Sequence, residues 1–309
     1  MTINERIIFE RILCPIDLTP DSDESLRYGI ALAKAYGAKL FVINCIDAFA
    51  GAAVSRKNAE KLIEAEIRKY LHPPASENFN WEIILVDGDP KEVIARQAAA
   101  RRIDLIVMRS RRRPYAAALM GSTAEAVCRT APCPVMVTHP CEQSWAGVTT
   151  NEIGLQRVLI AYDFSSDSEL ALSYGLSLAQ ECQAELHLLH VLPARSVRPV
   201  APEIALMGQS AENGFREAAS GLRNAVPSET RMWCELKQAV REGHPYREVL
   251  AYADEQHIDL ICMGASGTGF GMRALFGSNA DRVLRQAPCP VLITRPLRPA
   301  FAAPVAMHR

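Results

Sequence analysis

Apolar and polar positions alternate in blocks along this chain, and the second half shows the pattern most clearly. Arg157 to Tyr162 is a short apolar run bounded by turn residues, which predicts a buried strand. Ser165, Ser166 and Asp167 then supply an N-cap, and Leu170, Leu172, Leu176 and Leu178 recur at helical spacing to about Cys182. Glu185 to Leu192 predicts the next strand, about Met207 to Val226 a second helix, and Thr230 to Val240 contains the third strand. Pro245 opens a helix reaching about His257, at a position where its missing N–H costs nothing. Ile258 to Met263 predicts the fourth strand, Ser278 to Gln286 the last helix and Pro290 to Thr294 the last strand. The first half follows the same order. Strands buried on both faces and separated by helices imply a parallel sheet with right-handed crossovers. Five such strands suit a doubly wound α/β domain. With order 3-2-1-4-5, ligands would sit outside the carboxyl ends of strands one and four, where the order reverses.

The chain repeats itself at the scale of a whole domain. Asp87 to Met108 reappears as Glu242 to Met263, and Gly121 to Thr138 as Gly277 to Thr294. Near the start, the segment around Asp17 answers the one around Asp163. This predicts two tandem Rossmann-like domains, residues 1–140 and 155–296, with 141–154 as an aperiodic linker and 297–309 as a tail. Pro132, Pro134, Pro288 and Pro290 flank the last strand of each half, as expected of edge strands. Pairing of whole chains into a homodimer stays open.

Composition narrows the functional classes. At 309 residues the chain can bury two cores, about half its residues are apolar, and its net charge is close to zero. That balance lacks the basic footprint of a nucleic-acid binder. No apolar run reaches the ~20 residues a membrane span needs, and the N-terminus carries no signal core, so the chain reads as cytoplasmic. Nine cysteines occur without a CxxC pair. Cys14, Cys45, Cys182, Cys262 and Cys289 fall in or beside apolar runs, where a thiol packs as a small hydrophobe. No metal site is expected.

The loop after strand four of the second half carries the candidate chemistry. It reads MGASGTGFGMRALFGSNADRVL, with Gly264, Gly267, Gly269 and Gly271 close behind the strand and Gly277-Ser278 opening a helix. Glycines let backbone N–H groups approach a ligand and permit positive φ. A helix N-terminus adds unpaired donors and partial positive charge, so the two together suit a phosphate.

This loop resembles the signature of the nucleotide-binding universal stress proteins, G-2x-G-9x-G-[ST], here Gly264, Gly267 and Gly277-Ser278. The APCPVLIT ending and the strand from Leu186 to Val191 are similar as well, and the resemblance covers nearly all of both halves. It implies a flavodoxin-like fold holding ATP, or ADP or AMP, with or without Mg²⁺. It also implies pairing of domains through their last strands, so that Pro134 to Thr138 and Pro290 to Thr294 would meet within one chain as a pseudo-twofold pair. By that resemblance Ala161, Tyr162 and Asp163 lie on the ribose and adenine side, and Val191 contacts the base. Gly264, Gly267, Gly277, Ser278 and Asn279 surround the phosphates, and Met263 belongs to the same nucleotide-binding set. The first half departs from the pattern. Its loop is one residue shorter, Arg109 stands for Gly264, and the next glycine is replaced by Arg111 or Arg112. Only Pro15, Asp17, Gly121 and Ser122 remain of a degenerate site. The run Arg109 to Arg113 reads as a solvated basic loop, the sharper alternative being recognition of an acidic partner or anion.

Other chemistries fit poorly. A P-loop needs a lysine beside the helix-opening Ser, and Gly277-Ser278 has none. A phosphoacceptor domain would cluster carboxylates after strand one, but Asp17 and Asp163 stand alone there, with Asp21, Asp23 and Asp167 at helix starts. His187 and His190 alternate on a strand, where packing is the expectation, and His244 lies in a turn facing the cleft. Three functions remain: a stress-response regulator that binds an adenine nucleotide, a slow ATP hydrolase positioned by Asp163, and a nucleotide-free scaffold. No positioned general base can be read, so no catalytic residue is assigned and binding without turnover is the expectation.

Overall fold

The computed structural model describes residues 7–19, 23–46, 56–71, 79–110, 121–139, 145, 153–194, 204–266 and 277–295, the side chains of 23, 204–211 and 231 excepted. The first repeat runs β1 (Arg11–Pro15), α1 (Asp23–Tyr36), β2 (Lys39–Ile46), α2 (Arg56–Lys69), β3 (Trp81–Asp87), α3 (Pro90–Ala100), β4 (Leu105–Arg109), α4 (Ser122–Thr130) and β5 (Val135–Thr138). The second runs β6 (Arg157–Ala161), α5 (Ser166–Cys182), β7 (Glu185–Pro193), α6 (Ile204–Ala225), β8 (Leu236–Gly243), α7 (Pro245–Glu255), β9 (Leu260–Gly264), α8 (Ser278–Gln286) and β10 (Val291–Thr294). Third-strand pairing in the second repeat begins later than its apolar pattern suggests. A 3-10 turn over Ser228–Met232 absorbs the first residues, and the strand continues past Val240 to Gly243.

The strands form one sheet of ten, in the order β3-β2-β1-β4-β5-β10-β9-β6-β7-β8. Each half has the order 3-2-1-4-5, parallel throughout, and the halves join through β5 and β10. That junction is antiparallel, pairing Leu292 with Met136, Val291 with Val137 and Ile293 with Val135. The expected meeting of the last strands is therefore observed, and it corrects the picture of two separate sheets. A strand that would end each half as an exposed edge, with unpaired N–H and C=O groups, instead pairs at the centre of a common sheet.

Alternation along the strands divides the core into two layers that both run across the junction. Ile12, Cys14, Val107, Met136, Leu292, Cys262 and Ile160 face one layer; Leu13, Ile106, Val137, Ile293, Ile261 and Leu159 face the other. Outside the sheet the halves also clasp one another. Phe9 of the first repeat stacks on Tyr174 of α5 at 5.9 Å, and the Ser177 hydroxyl donates to Ile7 O at 2.8 Å. The segment expected to be a passive linker contributes a core side chain. Trp145 is buried, packs edge-on against Tyr28 of α1 at 4.5 Å, and donates its indole N–H to Asp259 O at 3.0 Å.

At the amino ends of the strands the two repeats use the same carboxylate clamp. Asp104 Oδ2 accepts from the backbone N–H groups of Glu10 and Arg11, at 2.9 and 2.8 Å. Asp259 Oδ2 accepts from Gln156 and Arg157, at 2.9 and 2.8 Å. The cysteines pack as expected of small hydrophobes: Cys14, Cys262 and Cys289 are buried, and Cys45 and Cys182 are half-buried. Burial pushes the Cys14 thiol up to about 12, so it carries no thiolate at neutral pH.

Candidate functional site

In the second half β6 and β9 lie side by side where the strand order reverses, with Ala161 in register with Met263. Tyr162 and Met263 are buried in opposite core layers. Beyond them the chain turns sharply into α5, and Asp163 makes that turn. Its Oδ1 accepts from the N–H of Ser165 at 3.1 Å and from the Ser165 hydroxyl, while its own N–H reaches Ser168 Oγ at 3.3 Å. Ser165 Oγ in turn caps α5 by accepting from Ser168 N at 3.2 Å. The residue between them, Phe164, takes a left-handed φ of 62°, as Leu18 does (φ 59°) at the same place in the first half. Asp17 repeats the turn, its Oδ1 accepting from the N–H of Thr19 at 3.0 Å and the Thr19 hydroxyl at 2.5 Å.

Two of the signature glycines are required for close approach rather than for positive φ. A Cβ on Gly264 would stand 2.6 Å from Asp167 Cβ and 2.9 Å from the Asp167 carbonyl carbon, because the first turn of α5 rests on the end of β9. A Cβ on Gly277 would stand 3.1 Å from Ala265 O, which accepts from Gly277 N at 2.8 Å and ties the helix start back to the strand. Gly277 is the N-cap of α8, at φ −63°, with no side-chain cap bond. The first-turn N–H groups of α8 therefore point outward without an intrahelical acceptor, beside the exposed Ser278 and Asn279. Gly267 lies outside the described residues, as do Gly269, Gly271 and Arg111 to Arg113. Val191 is half-buried on β7, two residues past the partner of Ala161, against the α7 and α8 core layer.

Sequence reasoning passed over Asp167 except as a helix start. Its Oδ2 accepts from Ser266 N at 3.1 Å, the first residue beyond Ala265 in the glycine loop, and its carbonyl accepts from the Thr294 hydroxyl at 3.0 Å. Burial raises its carboxyl above the ordinary range, with the Ser266 N–H and Arg295 opposing and Asp163 adding to the rise. Phe164 was also missed. It packs edge-on with Tyr162 at 5.0 Å, tilts against His190 at 4.8 Å, and covers Gly221 of α6 so closely that a Cβ there would meet its ring at 2.6 Å. Nothing in a phenylalanine, or in its counterpart Leu18, signals left-handed backbone.

His187 and His190 serve packing. His190 Nδ1 bonds to Tyr162 O at 2.8 Å, a role filled in the first half by Asn44 Nδ2 donating to Ile16 O at 2.9 Å. His187 is buried with Nδ1 3.0 Å from the Tyr252 hydroxyl, and burial holds its imidazole below the ordinary range against the pull of Glu185. His244 is the exposed N-cap residue of α7.

In the first half Pro15 ends β1, Gly121 is the N-cap of α4 and Ser122 opens that helix, as their counterparts do. Arg109 pairs with Thr138 as Gly264 pairs with Thr294, so the structure aligns the two positions. Its side chain is only 15% exposed and its Nε lies 3.8 Å from Glu24 of α1. The basic loop thus begins with an ion pair inside the fold rather than with a solvated arginine.

A protein-family model described as the universal stress protein family matches residues 8–139 and 154–295, once for each repeat. The chain belongs to the universal stress protein family. Universal stress protein G of Escherichia coli O157:H7 is 33% identical over 128 residues, covering 41% of this chain and 89% of that protein. Universal stress protein YxiE of Bacillus subtilis (strain 168) is 30% identical over 146 residues, covering 45% of this chain and 98% of that protein. Each of these relatives is therefore about as long as one of the two repeats. A crystal structure of a universal stress protein from Archaeoglobus fulgidus DSM 4304 superimposes with a TM-score of 0.61 at 24% identity, over 93% of this chain and 97% of that one. It shares the fold of the whole tandem chain.

Proposed function

We propose that this universal stress protein is a regulator of stress responses that holds one adenine nucleotide per chain, in the second half, with little or no turnover. The observation that carries this reading is the α8 N-terminus. It opens on a glycine with no side-chain cap, is held to the end of β9 through Ala265 O, and stands beside the β6–β9 reversal where Asp163 and Tyr162 emerge. Backbone donors and helix polarity of that kind suit a phosphate chain. The donor set fits ATP, ADP or AMP, and Ser278 adds an exposed hydroxyl. Binding is placed ahead of hydrolysis because Asp163 already spends Oδ1 on the Ser165 turn, which leaves it a poor match for a base that must reach a water.

The test is to denature purified full-length protein and identify what it releases by chromatography. One equivalent or less of an adenine nucleotide is expected from the wild type and none from Gly277→Arg, whose side chain would crowd Ala265 O and cover the helix start. Unchanged occupancy in that variant would move the site elsewhere. A phosphate-release assay comparing wild type with Asp163→Ala addresses turnover, and hydrolysis lost in the variant would make the protein an ATPase.

A further inference from the structure

Where α7 and α8 meet, two arginines of the second half grip one tyrosine. The Arg282 guanidinium lies 4.7 Å from the centre of the Tyr246 ring, and that of Arg247 lies 5.7 Å from it. Arg247 Nε also donates to the Tyr246 hydroxyl at 2.9 Å. Both guanidiniums draw the Tyr246 phenol below its ordinary range, Arg247 the more strongly. The carboxylates nearest in sequence are committed elsewhere. Asp281 holds Arg285 at 2.7 Å, and Glu248 faces Arg241 at 3.7 Å. Among the described residues neither Arg247 nor Arg282 has a carboxylate partner. Two neighbouring positive charges are thus fixed in place by a phenol that does not neutralise them.

Position gives this pair its meaning. Helices of a doubly wound half run antiparallel to its strands, so α7 and α8 both begin at the carboxyl edge of the sheet. Tyr246 and Arg247 lie in the first turn of α7. Arg282 stands one turn, about 5.4 Å, beyond Ser278 on α8, and helical side chains lean back toward the N-terminus. Its guanidinium is therefore carried toward the first-turn donors of α8. The first half carries Lys91, Glu92 and Ala126 at the matching positions, a cation cancelled by an anion and a side chain with no charge. The lip exists only beside the loop that keeps its glycines.

We infer that Arg247 and Arg282, braced by Tyr246, form an anion-binding lip that receives the distal phosphates of a nucleotide seated at α8, so that this site selects nucleotides by the length of their phosphate chain. This rests on the proposed nucleotide site and names what that site prefers, a triphosphate over a monophosphate. Planar guanidiniums match phosphate oxygens two at a time, and a guanidinium already stacked on an aromatic ring loses little freedom on binding.

Calorimetric titration of the full chain with ATP, with AMP and with inorganic tripolyphosphate tests it. For the double variant Arg247→Gln with Arg282→Gln, ATP affinity should fall about tenfold or more while AMP affinity stays within about twofold. Tripolyphosphate should displace ATP from the wild type and fail to bind the variant. Both side chains are exposed, so the fold should persist, and Arg282→Lys, which keeps charge without the fork, should fall between. Unchanged ATP affinity would overturn the lip, as would an equal loss for ATP and AMP. A wild type that binds tripolyphosphate but no nucleotide would leave the lip standing and remove the nucleotide reading. One that binds none of the three would end both.

Discussion

At the end of β9, Gly264 lies beneath the first turn of α5; at the matching end of β4, Arg109 reaches across to Glu24. Around this difference the two halves are built alike. Asp104 and Asp259 clamp the amino ends of the strands, Asp17 and Asp163 make the same turn, and Asn44 and His190 hold the same carbonyl. The last strands differ as well. In the second half the Thr294 hydroxyl donates to Asp167 O at 3.0 Å, fastening α5 to β10. In the first, the Thr138 hydroxyl is buried and makes no hydrogen bond among the described residues. An unpaired buried hydroxyl costs about 1–3 kcal/mol, so among the described residues the last strand of the first half lacks the fastening that Thr294 makes in the second. The scaffold at the amino end of the strands is alike in both repeats, and the carboxyl end differs between them.

The strongest way to break this comparison is to transplant the arginine. Gly264→Arg puts a Cβ 2.6 Å from Asp167 Cβ and against the backbone of α5, which cannot yield as a flexible side chain would. It should cost about 3 kcal/mol or more and abolish nucleotide retention. A melting temperature close to wild type, with nucleotide still bound, would mean that α5 has room to move and that the glycine is not what seats it.

The reverse exchange should be milder. Arg109→Gly leaves Glu24, 11% exposed, without its Arg109 partner. A fully buried pair would lose about 3–5 kcal/mol, but the 3.8 Å separation and partial exposure reduce the expected loss to about 1–2 kcal/mol. The variant should still release no more than one nucleotide per chain, because a single glycine does not restore the rest of the signature. Two equivalents on chromatography would show that Arg109 alone closes the first site.

Much of this arrangement was legible in the residues themselves. Ser278 to Gln286 folds as the helix its pattern predicts, and the order of the strands follows from apolar runs separated by amphipathic ones. Matching segments gave the repeat, proline flanks marked the last strands as edges, and the family resemblance implied that those strands meet. What escaped depends on distances between segments far apart in sequence. Gly264 reads as a glycine facing a phosphate until Asp167 of α5, almost a hundred positions earlier, is seen to press on it. Trp145 sits in a stretch with no periodicity, so its burial against Tyr28 leaves no trace in the pattern. Arg109 reads as solvated because charge is ordinarily exposed, and Glu24 shows why here it is not.

The subtlest difference between the halves should be a titration. Asp167 is carried into partly buried surroundings by the close seating of α5 on Gly264, and its carboxyl is raised above the ordinary value of 3.8. Its counterpart Asp21 lies outside the described residues. A raised value means that the folded chain holds this proton more tightly than the unfolded chain does. Ionised Asp167 therefore opposes folding at neutral pH, and the opposition fades as pH falls through the raised folded value and is gone below 3.8. Asp167→Asn keeps an oxygen that can accept from Ser266 N and removes the ionisation. Its melting temperature relative to wild type should be highest near neutral pH and converge with wild type as the solution is acidified. The Ser266 N–H and Arg295 limit the size of the effect, since both favour the charged form. A gap that widens on acidification would mean that the charge is a stabilising anchor for the glycine loop, and that burial is not the stronger influence on this carboxyl.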